Sequence, residues 1–296
     1  MKFGKLEDSS HIDFTLPGDH PDTESILRQN TKGLGRISVG CAKWTRSDLK
    51  AFYPKGTKDE LKYYATQFNS IELNATFYGM PSPEQIQIWK NKTPPGFTFF
   101  PKVPNTISHF RRLTDVTDAV TQFATSVMNF GEQLGTVFLQ LHDNFRSQDY
   151  ARLEKFVRDW PAEIPLAIEL RNEEWFADAE AFSKAARLFE QHHITMILVD
   201  TAGRRDVLHM RLTTPDAFIR YVATNNETDY ERLDDWIRRL TLWKEQGLRN
   251  LSFFIHQDIE ADSPLLFDYF IRNINSTWKT DLHSPKMATE GTGSLF

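Results

Sequence analysis

Three polar pairs, each two residues apart, stand at the ends of apolar runs: Glu72 with Asn74, Gln140 with His142, and Glu169 with Arg171. Residues two apart on an extended chain face the same side, so each pair projects together. A carboxylate, amide or guanidinium at the end of a core strand is costly unless it is paired or used. The other apolar runs end in the same way, at Cys41, Lys43 and Trp44, at Lys102, at Asp200, at Arg211, and at His256 with Gln257. Their starts and middles are mostly Val, Ile, Leu and Phe. Polar ends on apolar strands point to one site assembled from many strands.

Three chemistries suit these residues. Glu72 and Glu169 form the obvious acid and base pair, with Lys102 and Asp200 as further ionisable groups. Glu72, Glu169, Asp200 and His256 are donors that a divalent metal would accept. No His-x-His or Glu-x-x-His spacing accompanies them, so no cofactor is expected and a metal stays the alternative. Lys102, Arg171 and Arg211 could clamp a phosphate or carboxylate. Three cations at one mouth would repel without an anionic partner, so this reading needs the fewest assumptions. An imine from Lys102 is chemically open, and nothing in the sequence singles it out. Trp44, Phe77 and Tyr78 would wall the pocket, Asn74 and Gln140 would orient hydroxyls, and His109, His142 and His256 would complete the binding set.

Each residue alone has a plainer reading. Glu169 and Arg171 make a structural ion pair, Asp200 before Thr201-Ala202-Gly203 makes a turn, and His256 makes a core histidine. Cys41 reads as a small buried apolar residue. The functional reading rests on the pattern across all the ends.

The elements that must position these residues are eight β-type runs, at 37–41, 70–73, 97–102, 136–141, 165–170, 195–200, 207–212 and 251–256. Helices separate nearly all of them. Thr57-Lys58-Asp59-Glu60 and Thr228-Asp229-Tyr230-Glu231 have capping-box spacing. Ser82-Pro83 and Ser263-Pro264 read as helix starts, and further helices fall within 116–134 and near 150–160 and 179–191. Repeated βα units imply a parallel sheet with right-handed crossovers. Eight of them predict an α/β fold, a single-domain (β/α)8 TIM-type barrel over residues 36–279. An open doubly wound sheet would call for a glycine-rich phosphate turn after the first strand, and there is none. Residues 1–35 read as an N-terminal extension with one helical turn near 25–29, and residues 280–296 as a flexible tail.

Composition narrows the function further. The chain has 296 residues and a formal net charge of -5, which argues against indiscriminate nucleic-acid binding. Two loops, Ser108-His109-Phe110-Arg111-Arg112 and Gly203-Arg204-Arg205, keep a nucleic-acid-binding or nuclease-like protein as an alternative. The single cysteine rules out an internal disulfide and fits a reducing compartment. Neither a signal peptide nor an apolar run of membrane-spanning length is evident, so the expectation is a cytoplasmic protein with no membrane partner. Oligomeric state is left open.

The chain resembles the YecE-like family, domain of unknown function 72. The resemblance is carried by Gly40 and Trp44, by Ile71-Glu72-Leu73-Asn74-Ala75-Thr76-Phe77-Tyr78, and by Thr93-Pro94-Pro95-Gly96-Phe97. Lys102, Ile107-Ser108-His109, Gln140-Leu141, Glu169-Leu170-Arg171 with Trp175, and Arg211-Leu212 extend it over about residues 37–274. It implies a barrel of the type inferred above, loosely grouped by fold with sugar isomerases and metal-dependent nucleases, and no established activity. This chain departs from the family pattern at Lys43, His142-Asp143-Asn144, Thr213-Thr214 and Ile255-His256-Gln257, which marks a branch with its own ligand. The expectation is an enzyme acting by acid/base chemistry on a small anionic or polyhydroxylated substrate of sugar or sugar-phosphate type. Glu72 or Glu169 would be the acid or base, and Lys102, Arg171 and Arg211 the anion clamp. A non-catalytic ligand sensor is the remaining alternative.

Overall fold

Short runs of β-branched and aromatic residues separated by capped helices give a computed structural model that describes residues 4, 6, 8–257 and 259–288. The strands are β1 (Ile37–Cys41), β2 (Ser70–Leu73), β3 (Thr98–Pro101), β4 (Val137–Gln140), β5 (Leu166–Glu169), β6 (Thr195–Met196), β7 (Leu198–Asp200), β8 (Asp216–Val222) and β9 (Asn250–His256). The α-helices are α1 (Thr23–Leu27), α2 (Glu60–Gln67), α3 (Ala75–Tyr78), α4 (Pro83–Asn91), α5 (Thr117–Val127), α6 (Tyr150–Asp159), α7 (Glu174–Ala177), α8 (Ala179–Gln191), α9 (Thr228–Gln246) and α10 (Ser263–Trp278). The strands form three sheets, in the orders β1-β9-β8-β7, β2-β3 and β4-β5-β6. All their ladders are parallel, so the fold is α/β.

Side chains and single pairings join the sheets. Gly40 approaches β2 so closely that a Cβ there would lie 2.0 Å from the Ser70 carbonyl oxygen. Across this seam Asn69 accepts from the Val39 N–H and donates to the Ile37 carbonyl. The Tyr64 hydroxyl accepts from the Cys41 N–H and donates to the Ser70 carbonyl. Between β3 and β4 the links are Phe99 with Leu134 and Lys102 with Phe138. The Ile197 N–H bonds the Ile168 carbonyl, so β6 and β7 hand one run from β5 to β8.

One expected strand is wrong. Residues 207–212 form a 3-10 turn and irregular chain, and the strand is β8, beginning four residues later. The 207–212 segment is taken by the N-terminal extension: the Met210 carbonyl accepts from the His20 N–H and the Thr23 hydroxyl, and Thr23 accepts from the Leu212 N–H. Positive φ at Met210 breaks an extended run there. Two caps also differ. Asp59 rather than Thr57 accepts from the Lys62 N–H at the start of α2, and α9 begins after Glu227 without a side-chain cap. Ser82 caps α4 as expected. The helical turn of the extension falls at 23–27, and Ile26 and Leu27 are buried in the core. Of the expected loose tail, residues 280–288 are tied down, with Lys286 bonded to Gln67 and Ala288 to Ala51, while 289–296 lie outside the described residues.

Alternation along the strands sorts their side chains. Residues of one parity pack on the helices, among them Ile71, Phe99, Leu139, Ile168, Ile219 and Phe253. Those of the other parity form a second cluster in which Phe100, Phe138, Phe218 and Phe254 lie 4.9–5.9 Å apart, ring centre to ring centre. Before this phenylalanine layer, at the strand starts, Ser38, Thr98, Thr136 and Ser252 line a cavity of about 240 Å³. After it, at the strand ends, the same face carries charge.

Candidate active site

The strand ends supply Glu72 from β2, Lys102 just past β3, Gln140 from β4, Glu169 from β5, Arg220 from β8 and His256 from β9, each at most 6% exposed. Arg220 is the hub. Its Nε and Nη2 donate to the two Glu72 oxygens at 3.0 and 2.9 Å, and its Nη1 donates to Glu169 Oε2 at 2.5 Å. The spacing of two noted in the sequence acts twice within this network: Asn74 donates to Glu72 Oε1 at 2.9 Å, and Arg171 Nε to Glu169 Oε1 at 2.6 Å. His256 Nε2 lies 2.9 Å from Glu72 Oε2. Gln140 donates its amide to both Glu169 oxygens at 3.1 and 3.2 Å, which turns its carbonyl oxygen to accept from Lys102 Nζ at 2.9 Å.

These contacts fix the protonation states. Burial opposes charge on Glu169, but Arg220 and Arg171 outweigh it and bring its carboxyl to about 2. Glu72 is likewise held well below the usual carboxylate range, against burial, by Arg220 and His256. Neither carboxyl carries a proton to donate near neutrality. Lys102 behaves in the opposite way. Burial, reinforced by the charge of Arg220, lowers it to about 7, despite Glu72 and Glu169. Its Nζ lies 4.2 Å from the centre of the Phe77 ring and 5.9 Å from that of Phe138.

Above Lys102 the loops carry aromatics. Phe77 on α3 meets Tyr78 and His109 edge-on, and His109 meets His142. Burial and the neighbouring Lys102 bring His109 down to about 4, so its ring is neutral at pH 7. Tyr78 is 79% exposed. Trp44 packs edge-on against Trp89 of α4.

Two expected members are not part of this cluster. Asp200 follows Val199, which lies in the phenylalanine layer, so alternation turns its carboxylate the other way, toward α9. There it binds Trp236 Nε1, Arg232 and Arg205. Arg211 precedes β8, where it pairs with Glu190 and Asp22 and donates to the Leu212 carbonyl. The argument for an anionic ligand from unpaired cations therefore fails: Arg220 and Arg171 already hold Glu72, Glu169 and Asp143. Arg220 is the residue that the sequence reading missed. Its signals were the alternation of Asp216 to Val222 and the need of two buried carboxylates for a counter-charge. Cys41 is buried and its thiol pushed well up by burial, as a structural cysteine. Among the described residues no group of three or more His, Cys, Asp or Glu is set to hold a metal ion. No helix among them is long and apolar enough to cross a membrane.

The fold defines an α/β protein of parallel sheets with a buried ionic cluster at their strand ends. Its residues 38–289 match the family model described as protein of unknown function DUF72, and the chain belongs to that family. It is 27% identical over 263 residues to UPF0759 protein YecE of Escherichia coli K12, covering 81% of this chain and 93% of that one. It is 26% identical over 152 residues to UPF0759 protein YunF of Bacillus subtilis, covering 48% and 52%. A crystal structure of a DUF72 family protein from Thermotoga maritima aligns with a TM-score of 0.64 at 22% identity, covering 81% of this chain and all of that one. One from Enterococcus faecalis aligns with a TM-score of 0.63 at 16% identity, covering 83% and 98%. These likenesses concern the fold.

Proposed function

We propose that the three sheets close into a (β/α)8 barrel and that its strand-end site is that of an enzyme acting on a small polyhydroxylated substrate by acid/base chemistry. Closure is supported by contacts across the strands: Glu72 of β2 reaches Arg220 of β8, and Phe100 of β3 touches Phe254 of β9. The observation that carries the function is the contrast within the cluster. Both carboxylates are clamped by arginine, whereas Lys102 is brought down to about 7. A group whose pKa matches the working pH is the effective proton carrier, so Lys102 takes the role first assigned to Glu72 or Glu169. Asn74 and His142 offer donors and acceptors to hydroxyls, while Gln140 is taken up by Glu169 and Lys102. Since the arginines already hold carboxylates, a neutral sugar suits the site better than an anion. Arg204 and Arg205 are engaged by Asp206 and Asp200, which weakens the case for a nucleic-acid groove.

The test is a panel of neutral aldoses, ketoses and their phosphates, read by thermal shift and by proton NMR in deuterated water. The expected result is stabilisation by a neutral sugar and protein-dependent exchange of the C–H next to its carbonyl, lost in Lys102→Met. Stabilisation without exchange makes the protein a sensor. No response to any sugar, with salt-sensitive binding of oligonucleotides, overturns the proposal.

A further inference from the structure

We infer that Lys102 acts covalently, its amine forming an imine with an aldehyde or ketone carbon of the substrate. This rests on the reading of Lys102 as the working group and names the bond it makes. Three features of geometry support it. The amine is buried beside the phenylalanine layer with Arg220 as a neighbouring cation, and this desolvation and repulsion favour a neutral, nucleophilic lysine over the pull of the Phe77 ring face on an ammonium. Gln140, turned by Glu169, offers it an acceptor, so one N–H is anchored and the lone pair directed away. Among the described residues no carboxylate lies within ion-pair distance of the amine, because Glu72 and Glu169 are taken by Arg220 and Arg171.

The step balances without any oxidant or reductant. The Nζ lone pair attacks the carbonyl carbon, and the π pair moves to oxygen, which takes up a proton as Nζ gives one up. The carbinolamine then loses its hydroxyl, which leaves as water with the second Nζ proton, and C=N replaces C=O. The imine takes up a proton at nitrogen from water and withdraws electrons from the adjacent C–H. The C–H proton passes to solvent water, because Nζ, now bonded to carbon, is no longer the base, and the exchange proposed above follows. Gln140 is here a positioning residue, acting through the amine.

The full-length protein, incubated at pH 7 with D-glyceraldehyde and reduced with borohydride, tests this by peptide mass mapping. Lys102 is expected to gain the mass of the aldehyde less one oxygen up to about a thousandfold faster than an exposed lysine, since at pH 7 it is about half neutral and an ordinary lysine is neutral in only about one molecule in a few thousand. Its labelling rate should rise through pH 7. The adduct should vanish in Lys102→Met and Lys102→Arg and persist in Lys58→Met, which alters an exposed side chain. Mapping on the unaltered protein keeps the test independent of how the variants fold. Labelling spread evenly over the exposed lysines overturns the imine. Proton exchange on a sugar without labelling of Lys102 overturns the imine and leaves acid/base chemistry standing; absence of both overturns the two together.

Discussion

Two arginines in this molecule have nearly the same surroundings and different uses. Arg220 and Arg232 are 0% and 3% exposed, and each is held by two carboxylates, Glu72 with Glu169 in one case and Asp200 with Asp229 in the other. Both lie over aromatic rings, Arg220 on Phe138 and Arg232 between Phe14 and Tyr221. The difference is in who satisfies the rest of the carboxylates. Asp229 accepts from the Thr224 and Asn226 N–H groups, and Asp200 from Trp236. That network ties α9 to the strands and is closed by rings. Glu72 and Glu169 are satisfied by Asn74, His256, Gln140 and Arg171, side chains at strand ends beneath loops. A buried ion pair is thus no sign of a site. What sets the Arg220 network apart is that its partners are strand-end side chains and that Lys102, brought down to about 7, stands beside it.

The comparison breaks hardest at Arg220. Arg220→Met leaves Glu72 buried without its guanidinium and Glu169 with Arg171 alone, a loss of about 3–5 kcal/mol. Urea denaturation should register it, and labelling of Lys102 should fall with it because Glu169 no longer holds Gln140 in place. Restoring neutrality with Glu72→Gln in the same chain should recover part of the stability. A loss below about 1 kcal/mol would mean that the carboxylates find other partners.

Arg232→Met should cost somewhat less, about 2–4 kcal/mol, since Asp200 and Asp229 keep Arg205, Trp236 and backbone donors. Its labelling of Lys102 and its sugar response, measured below the denaturation midpoint, should match the unaltered protein. Loss of either would mean that the two networks are coupled and the contrast false.

Lys102 sharpens the contrast through pH. Its folded value of about 7 lies below the 10.5 of an ordinary lysine. Below pH 7 both folded and unfolded chains hold the proton. Between about 7 and 10.5 the unfolded chain holds more, so stability rises with pH across that window, by about 1.4 kcal/mol per unit at most. Lys102→Met should remove this slope, and urea midpoints measured from pH 6 to 10 will read it. Equal slopes in the two proteins would place Lys102 as a permanently charged partner and end its candidacy.

What the sequence made legible follows from alternation. The two-residue spacing of Glu72 with Asn74 and of Glu169 with Arg171 put real hydrogen-bonding partners together, because an extended chain returns to the same face at every second residue. Asp200 was misjudged by the same rule: position at a strand end says nothing of facing, and Val199 occupies the inner face there. Arg211 belongs to the run expected as a strand, 207–212, and Arg220 to the run that forms one, Asp216–Val222. The fate of Arg211 was decided by residues 20–23, nearly two hundred positions away, which bind the backbone of Met210 and Leu212 on either side of it. Local pattern cannot register such a competitor. The lowered value of Lys102 was illegible for a similar reason, since it depends on burial and on an arginine from another strand.

The smallest expected effect is at the surface of the contrast. Tyr78 is 79% exposed and meets Phe77 edge-on with ring centres 5.1 Å apart. Phe77 in turn covers Lys102. An exposed side chain away from caps and buried pairs changes stability by no more than about 0.5 kcal/mol when truncated. Tyr78→Ala should therefore leave the urea midpoint in place. Loss of one exposed ring contact, worth about 0.5 kcal/mol, frees Phe77 enough to raise the labelling rate of Lys102 about twofold. Nothing comparable is available at Arg232, whose ring cover comes from Phe14 and the buried Tyr221 rather than from a four-residue helix at a strand end. A change in stability above 1 kcal/mol, or a labelling rate that does not move, would show that α3 is part of the frame and that access to Lys102 runs elsewhere.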